Sequence, residues 1–148
     1  MFRFSLQRVL DYKRQIRETI ENEITIIQGR IETTRRNLSE TQNEVDSHMT
    51  ALREYSKGER VEVTELSIRS AYIDSMRAQA KMLEGQMRRL NEKLEKKRVE
   101  LIAASQEEKV MEKLRERELK AFNEAAQKAE NAFLDEIAVR RYVNAKAE

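Results

Sequence analysis

Cysteine, proline and tryptophan are absent from the 148 residues, and glycine occurs three times. Without cysteine there is no disulfide and no thiolate metal site, although the redox compartment stays open. Without proline, no position removes a helical amide donor or forces a kink. Aromatic residues make up 5% of the chain. Charge of a single sign is also lacking: 29 basic and 27 acidic side chains leave a net +2, too even for a dedicated nucleic-acid binder. No apolar run approaches the roughly 18 residues a membrane-spanning helix needs. The opening Met1 to Arg8 lacks the apolar block of a secretory signal, so a soluble cytoplasmic protein is expected.

What is present is charge, at 38%, and helix formers. That profile belongs to coiled coils and long helices. The apolar residues fall in narrow stripes rather than broad faces, so a thick core is not expected. The clearest stripe is Leu66, Arg69, Ile73, Met76, Ala80, Leu83, Met87, Leu90, Leu94, Lys97, Leu101. Its steps alternate between three and four, which places the residues on one seam of a helix that needs a partner helix.

A second stripe precedes it: Ile20, Ile24, Ile27, Ile31, Thr34, Leu38, Thr41, Val45, His48, Leu52, Tyr55. Upstream, the steps Phe2, Leu6, Val9, Lys13, Ile16, Ile20 carry the pattern on, with a stutter at Ile20. Gly29 lies off the seam, costs its helix about 1 kcal/mol relative to alanine, and has no evident function. The break comes at Ser56 to Arg60, where Gly58 suits a left-handed helix end. Thr64 suits an N-cap, with Glu65 in the first turn.

The fold expected is therefore all-α: two long helices forming an antiparallel coiled-coil hairpin. Residues 1–148 form a single hairpin, with helix 2–56, loop 57–64 and helix 65–145. At 1.5 Å per residue the helices are about 80 and about 120 Å long. Pairing Tyr55 with Leu66 sets Leu38 on Leu83, Ile31 on Leu90, Ile24 on Lys97 and Phe2 on Leu119. The C-terminal helix then overhangs the N-terminus by residues 120–148. That overhang carries its own stripe, Phe122, Ala126, Ala129, Phe133 and Ile137, and eight alanines in its last 28 residues. Between seam and overhang, Gln106 to Glu118 is crowded with charge, and the helices should be held least tightly there.

Enzymatic signals are absent. His48 is the one histidine and sits at a seam position, where a structural role is the expectation. No glycine-rich loop is present to cradle phosphate, and no cofactor or metal is expected. Met76, Met87 and Met111 read as seam residues, with Met82 one step off. Phe2, Phe4, Leu6, Val9 and Leu10 with Arg3, Arg8, Lys13, Arg14 and Arg17 leave two readings: an anionic membrane surface, or Phe2, Leu6 and Val9 facing the second helix. For the overhang, self-association and insertion into another protein both stand.

Three stretches together resemble the flagellar export protein family FliJ. Phe2-Arg3-Phe4-Ser5-Leu6-Gln7-Arg8-Val9-Leu10 resembles the family's aromatic-Leu-Gln-x-Val-Leu opening. Arg69-Ser70-Ala71-Tyr72-Ile73 is similar to its Tyr-aliphatic signature after the loop. Leu134-Asp135-Glu136-Ile137-Ala138-Val139-Arg140-Arg141 resembles its Asp-Glu-x-Ala-x-Arg close. The resemblance implies a non-enzymatic cytoplasmic stalk of the type III export apparatus at the flagellar base, peripheral to the inner membrane and similar to the gamma stalk of rotary ATPases. It implies as partners the ring of the export ATPase FliI, the export gate protein FlhA and export chaperones, with no nucleic acid. On that reading Phe2, Phe4, Arg8, Phe122, Phe133, Asp135, Glu136, Ile137, Arg140 and Arg141 meet the ATPase, and Tyr72 contacts the gate. The alternatives are a self-associating structural coiled coil and a membrane-surface adaptor using the basic N-terminus.

Overall fold

The computed structural model describes residues 1–146. It contains two helices, α1 (Gln7–Ser56) and α2 (Val63–Ala145), packed against each other as a helical hairpin, with no strand among the described residues. α1 starts at Gln7 rather than at residue 2, because residues 1–4 form no regular element and lead into a turn at 5–6 closed by Gln7 N–H on Phe4 O. Packing divides the chain into two compact units, Thr19–Leu101 and Met1–Glu18 with Ile102–Glu148.

In the unit 19–101, apolar seam residues bury one another. Ile24, Ile27, Ile31 and Leu94 form a buried cluster, and Ile20, Met87, Leu90 and Leu101 pack against it. The expected register put Ile31 on Leu90 and Ile24 on Lys97; Leu90 packs against the cluster that contains Ile31, and Lys97 pairs with Glu23, next to Ile24. Lys97 Nζ lies 2.6 Å from Glu23 and 2.8 Å from Glu100. Nearer the turn, Ile73, Met76 and Leu83 are buried. The His48 ring meets Tyr72 edge-on, centroids 4.9 Å apart. His48 itself is exposed, so it is a surface ring on Tyr72 rather than a residue of the closed seam. Met82 is exposed, while Met76 is buried and Met87 half-buried.

The turn differs from expectation in its chemistry. No described residue, glycine included, has a positive φ, so Gly58 is not a left-handed cap. α1 instead tightens at its end, with Lys57 N–H on Glu54 O and Gly58 N–H on Tyr55 O, both 3.2 Å. A Cβ at Gly58 would sit 3.3 Å from Tyr55 O, so glycine serves close approach there rather than handedness. α2 begins at Val63, before Thr64, and its first bond runs from Leu66 N–H to Glu62 O. Thr64 therefore lies within the first turn, and Glu62 takes the capping position. The Arg69 guanidinium bonds Glu65 at 2.8 Å and lies over the Tyr55 ring at 4.8 Å. Stacking on an aromatic face explains how an arginine occupies a seam position.

Candidate functional site

The unit formed by residues 1–18 and 102–146 contains most of the residues singled out from the sequence. Its apolar packing is small: Phe4, Leu10 and Ala104 are buried, Leu10 completely. Leu6 and Val9 are exposed, which corrects the expectation that they face α2. The stutter proposed at Ile20 explains the error. Counting back from Ile31 in unbroken steps of four and three gives Ile27, Ile24, Ile20, Arg17, Lys13 and Leu10. The inward side of α1 follows that phase, so Arg17 takes the place expected of Ile16 and Leu10 that of Val9, while Lys13 stays on the stripe.

Those basic residues meet carboxylates on α2. Lys13 Nζ is 2.5 Å from Glu107 Oε2. Arg14 bonds Glu108 through Nε at 3.2 Å and Glu112 through Nη2 at 2.9 Å. Arg17 Nε donates to Glu108 Oε2 at 2.5 Å. Glu108 is buried, yet no buried side-chain polar atom in the described structure lacks a hydrogen-bond partner. The Arg14 guanidinium is held above its ordinary range, first by its hydrogen bond to Glu112, against some desolvation, and then by Glu108. The charged stretch from Gln106 to Glu118 is thus joined by ion pairs rather than apolar contact. This cluster was missed because arginine and glutamate were assigned to water. The signal available was the unbroken heptad phase on both helices.

Past the cluster, the rings of Phe2 and Phe122 meet at 5.7 Å, tilted by 52°. Phe2 therefore reaches Phe122, one turn beyond the expected Leu119. Every described side chain from Leu119 onward that can be classed is exposed except Ile137, which is half-buried. Phe133 keeps 62% of its surface in water, and Leu134, Val139, Tyr142 and Val143 are similarly open. Glu136 and Arg140 pair at 2.6 Å along the helix, while Asp135 and Arg141 are exposed. Arg8 is exposed beside the N-terminal turn. Phe4 is committed to packing, at 7% exposure, and offers a partner little surface. Tyr72, half exposed against His48, belongs to the other unit.

An uncovered apolar face on a helix is suited to holding another protein. No His/Cys/Asp/Glu group among the described residues is arranged to hold a metal ion, and no described helix is long and apolar enough to cross a membrane. No curated protein and no solved structure matches the chain. The family model described as flagellar FliJ protein matches residues 2–147, nearly the whole chain. The chain belongs to the flagellar FliJ protein family.

Proposed function

We propose that the chain is a non-enzymatic adaptor of the flagellar type III export apparatus that docks on the ring of the export ATPase FliI through the uncovered part of α2. Membership of the family makes it a flagellar export-related protein. The observation that carries the finer reading is the apolar stripe Phe122, Phe133 and Ile137 on one side of α2, with no covering segment among the described residues. Phe2, packed on Phe122, and Arg8 border that face, and Asp135, Glu136, Arg140 and Arg141 supply charge around it. Phe4, being buried, is left out of the ATPase contact on this reading. Tyr72 is assigned to the export gate protein FlhA, and the export chaperones complete the set of partners. On this reading the protein works in the cytoplasm, peripheral to the inner membrane. Replacing Phe133 and Ile137 by serine is expected to abolish stimulation of the ATPase while leaving helicity unchanged. Undiminished stimulation would overturn the assignment, and a tight dimer in sedimentation would favour self-association.

One observation favours a second reading. Leu6, Val9 and Tyr12 are exposed beside Arg3 and Arg8, an apolar and basic turn of the kind that settles on anionic lipid. That reading requires salt-sensitive binding to phosphatidylserine vesicles that is lost when Leu6 and Val9 become serine.

A further inference from the structure

Gly29 has no explanation within the chain's own packing. It lies inside α1, where glycine is the poorest helix former after proline, yet nothing lies within 4 Å of the Cβ it lacks. No neighbouring side chain or backbone uses the space. Beside it, between α1 and α2, runs an open groove of about 680 Å³ lined by Ile26, Gly29, Thr33, Gln86 and Leu90. All of it lies within the unit 19–101. Ile26 is 57% exposed although its neighbours Ile24 and Ile27 are buried, so an apolar step faces solvent at the groove. Thr33 and Thr34 turn their hydroxyls back onto the carbonyls of Gly29 and Arg30. That removes the polar groups which otherwise compete for a partner's surface.

The rim is cationic. Arg30 and Arg89 flank the floor, and Lys93 continues the rim in the adjoining depression. None of these three forms an ion pair among the described residues. Lys97 at the far end differs, being held by Glu23 and Glu100. An apolar floor between two helices, with lining residues three and four apart on each, fits the ridge of a third helix. Uncompensated cations on both rims select carboxylates on that helix.

We propose that this groove seats an acidic amphipathic helix of a partner protein, laid between α1 and α2 with its apolar ridge over Gly29 and its carboxylates on Arg30, Arg89 and Lys93. The surface is separate from the face of α2 assigned to the ATPase, and the proposal does not depend on that assignment.

The test uses the full chain and a fluorescent synthetic amphipathic helix with leucine on one face and glutamate on the other, followed by anisotropy. Saturable binding is expected, weakened about tenfold or more by Gly29→Leu and by the pair Arg30→Glu and Arg89→Glu. Gly29→Leu improves helix propensity and meets open space, so it keeps the fold, which circular dichroism verifies. The pair Arg35→Glu and Arg88→Glu changes net charge equally but lies on the opposite faces of the two helices, and it is expected to bind as the parent does. No saturable binding overturns the proposal. So does equal loss in both charge pairs, equal binding of a lysine-for-glutamate peptide, or unchanged binding by Gly29→Leu. A dimer that Gly29→Leu dissociates would overturn it in favour of a second copy of the chain.

Discussion

Glu108 occupies a position where a heptad seam asks for an apolar side chain, and its neighbours explain how it stays there. Arg14 and Arg17 both hydrogen-bond it, and Arg14 extends to Glu112. Removing one member of a buried ion cluster leaves the partner charges without compensation, and a smaller replacement adds a cavity to that loss. Glu108→Ala is expected to lower stability by about 2 kcal/mol, less than for a fully buried pair because both arginines keep part of their surface in water. Glu108→Leu is expected to cost less than the alanine variant. Urea denaturation followed by circular dichroism distinguishes them, and no loss in Glu108→Leu would mean the carboxylate itself contributes nothing. Gly29 supplies the converse case. Gly29→Ala is expected to raise stability by about 1 kcal/mol, since it improves helix propensity and its methyl meets open space.

At the scale of the element, the buried part of α1 and α2 rests on Ile24, Ile27, Ile31 and Leu94. Ile27→Ala is expected to cost about 3 kcal/mol by the same denaturation measurement, and a loss near zero would mean the cluster is not packed. Lys97 adds a pH-dependent contribution. Its pKa is raised first by the hydrogen bond to Glu100 and then by that to Glu23. A cation whose folded pKa lies above its unfolded value stabilises fully below the unfolded value, about 10.4, and loses the effect as pH rises through the folded one. The stability difference between the parent and Lys97→Met should therefore be constant through neutral pH and shrink only in the alkaline range. A difference that shrinks toward acid instead would point to the carboxylates. The α2 seam was readable in advance because each of its steps, Leu66 to Leu101, is half-buried or buried in the structure. Hydrophobic periodicity reports helix, face and register together. It failed at Leu6 and Val9, where apolar character drew the stripe onto the wrong face, and at Arg17 and Glu108, where the inward residues are charged. It failed also at Gly58, whose role depends on a carbonyl 3.3 Å away that sequence does not display.

For the molecule as a whole, membership of the flagellar FliJ family and the uncovered face of α2 point the same way. The hairpin encloses no thick core, and the residues that would recognise partners are the ones packing leaves over. Phe122 and Phe133 were identifiable from periodicity because their stripe outran any partner stripe in the chain. Tyr72 and Arg140 were suggested by family likeness alone. Because Phe133 and Ile137 lie where α2 has no mate among the described residues, replacing both by serine should leave the denaturation midpoint within experimental error. The most direct measurement is calorimetric titration of the purified export ATPase with the parent chain and with the Phe133→Ser, Ile137→Ser variant. The account predicts saturable binding by the parent and at least a tenfold loss in the variant, with helicity unchanged. Equal affinity for the two chains would contradict it.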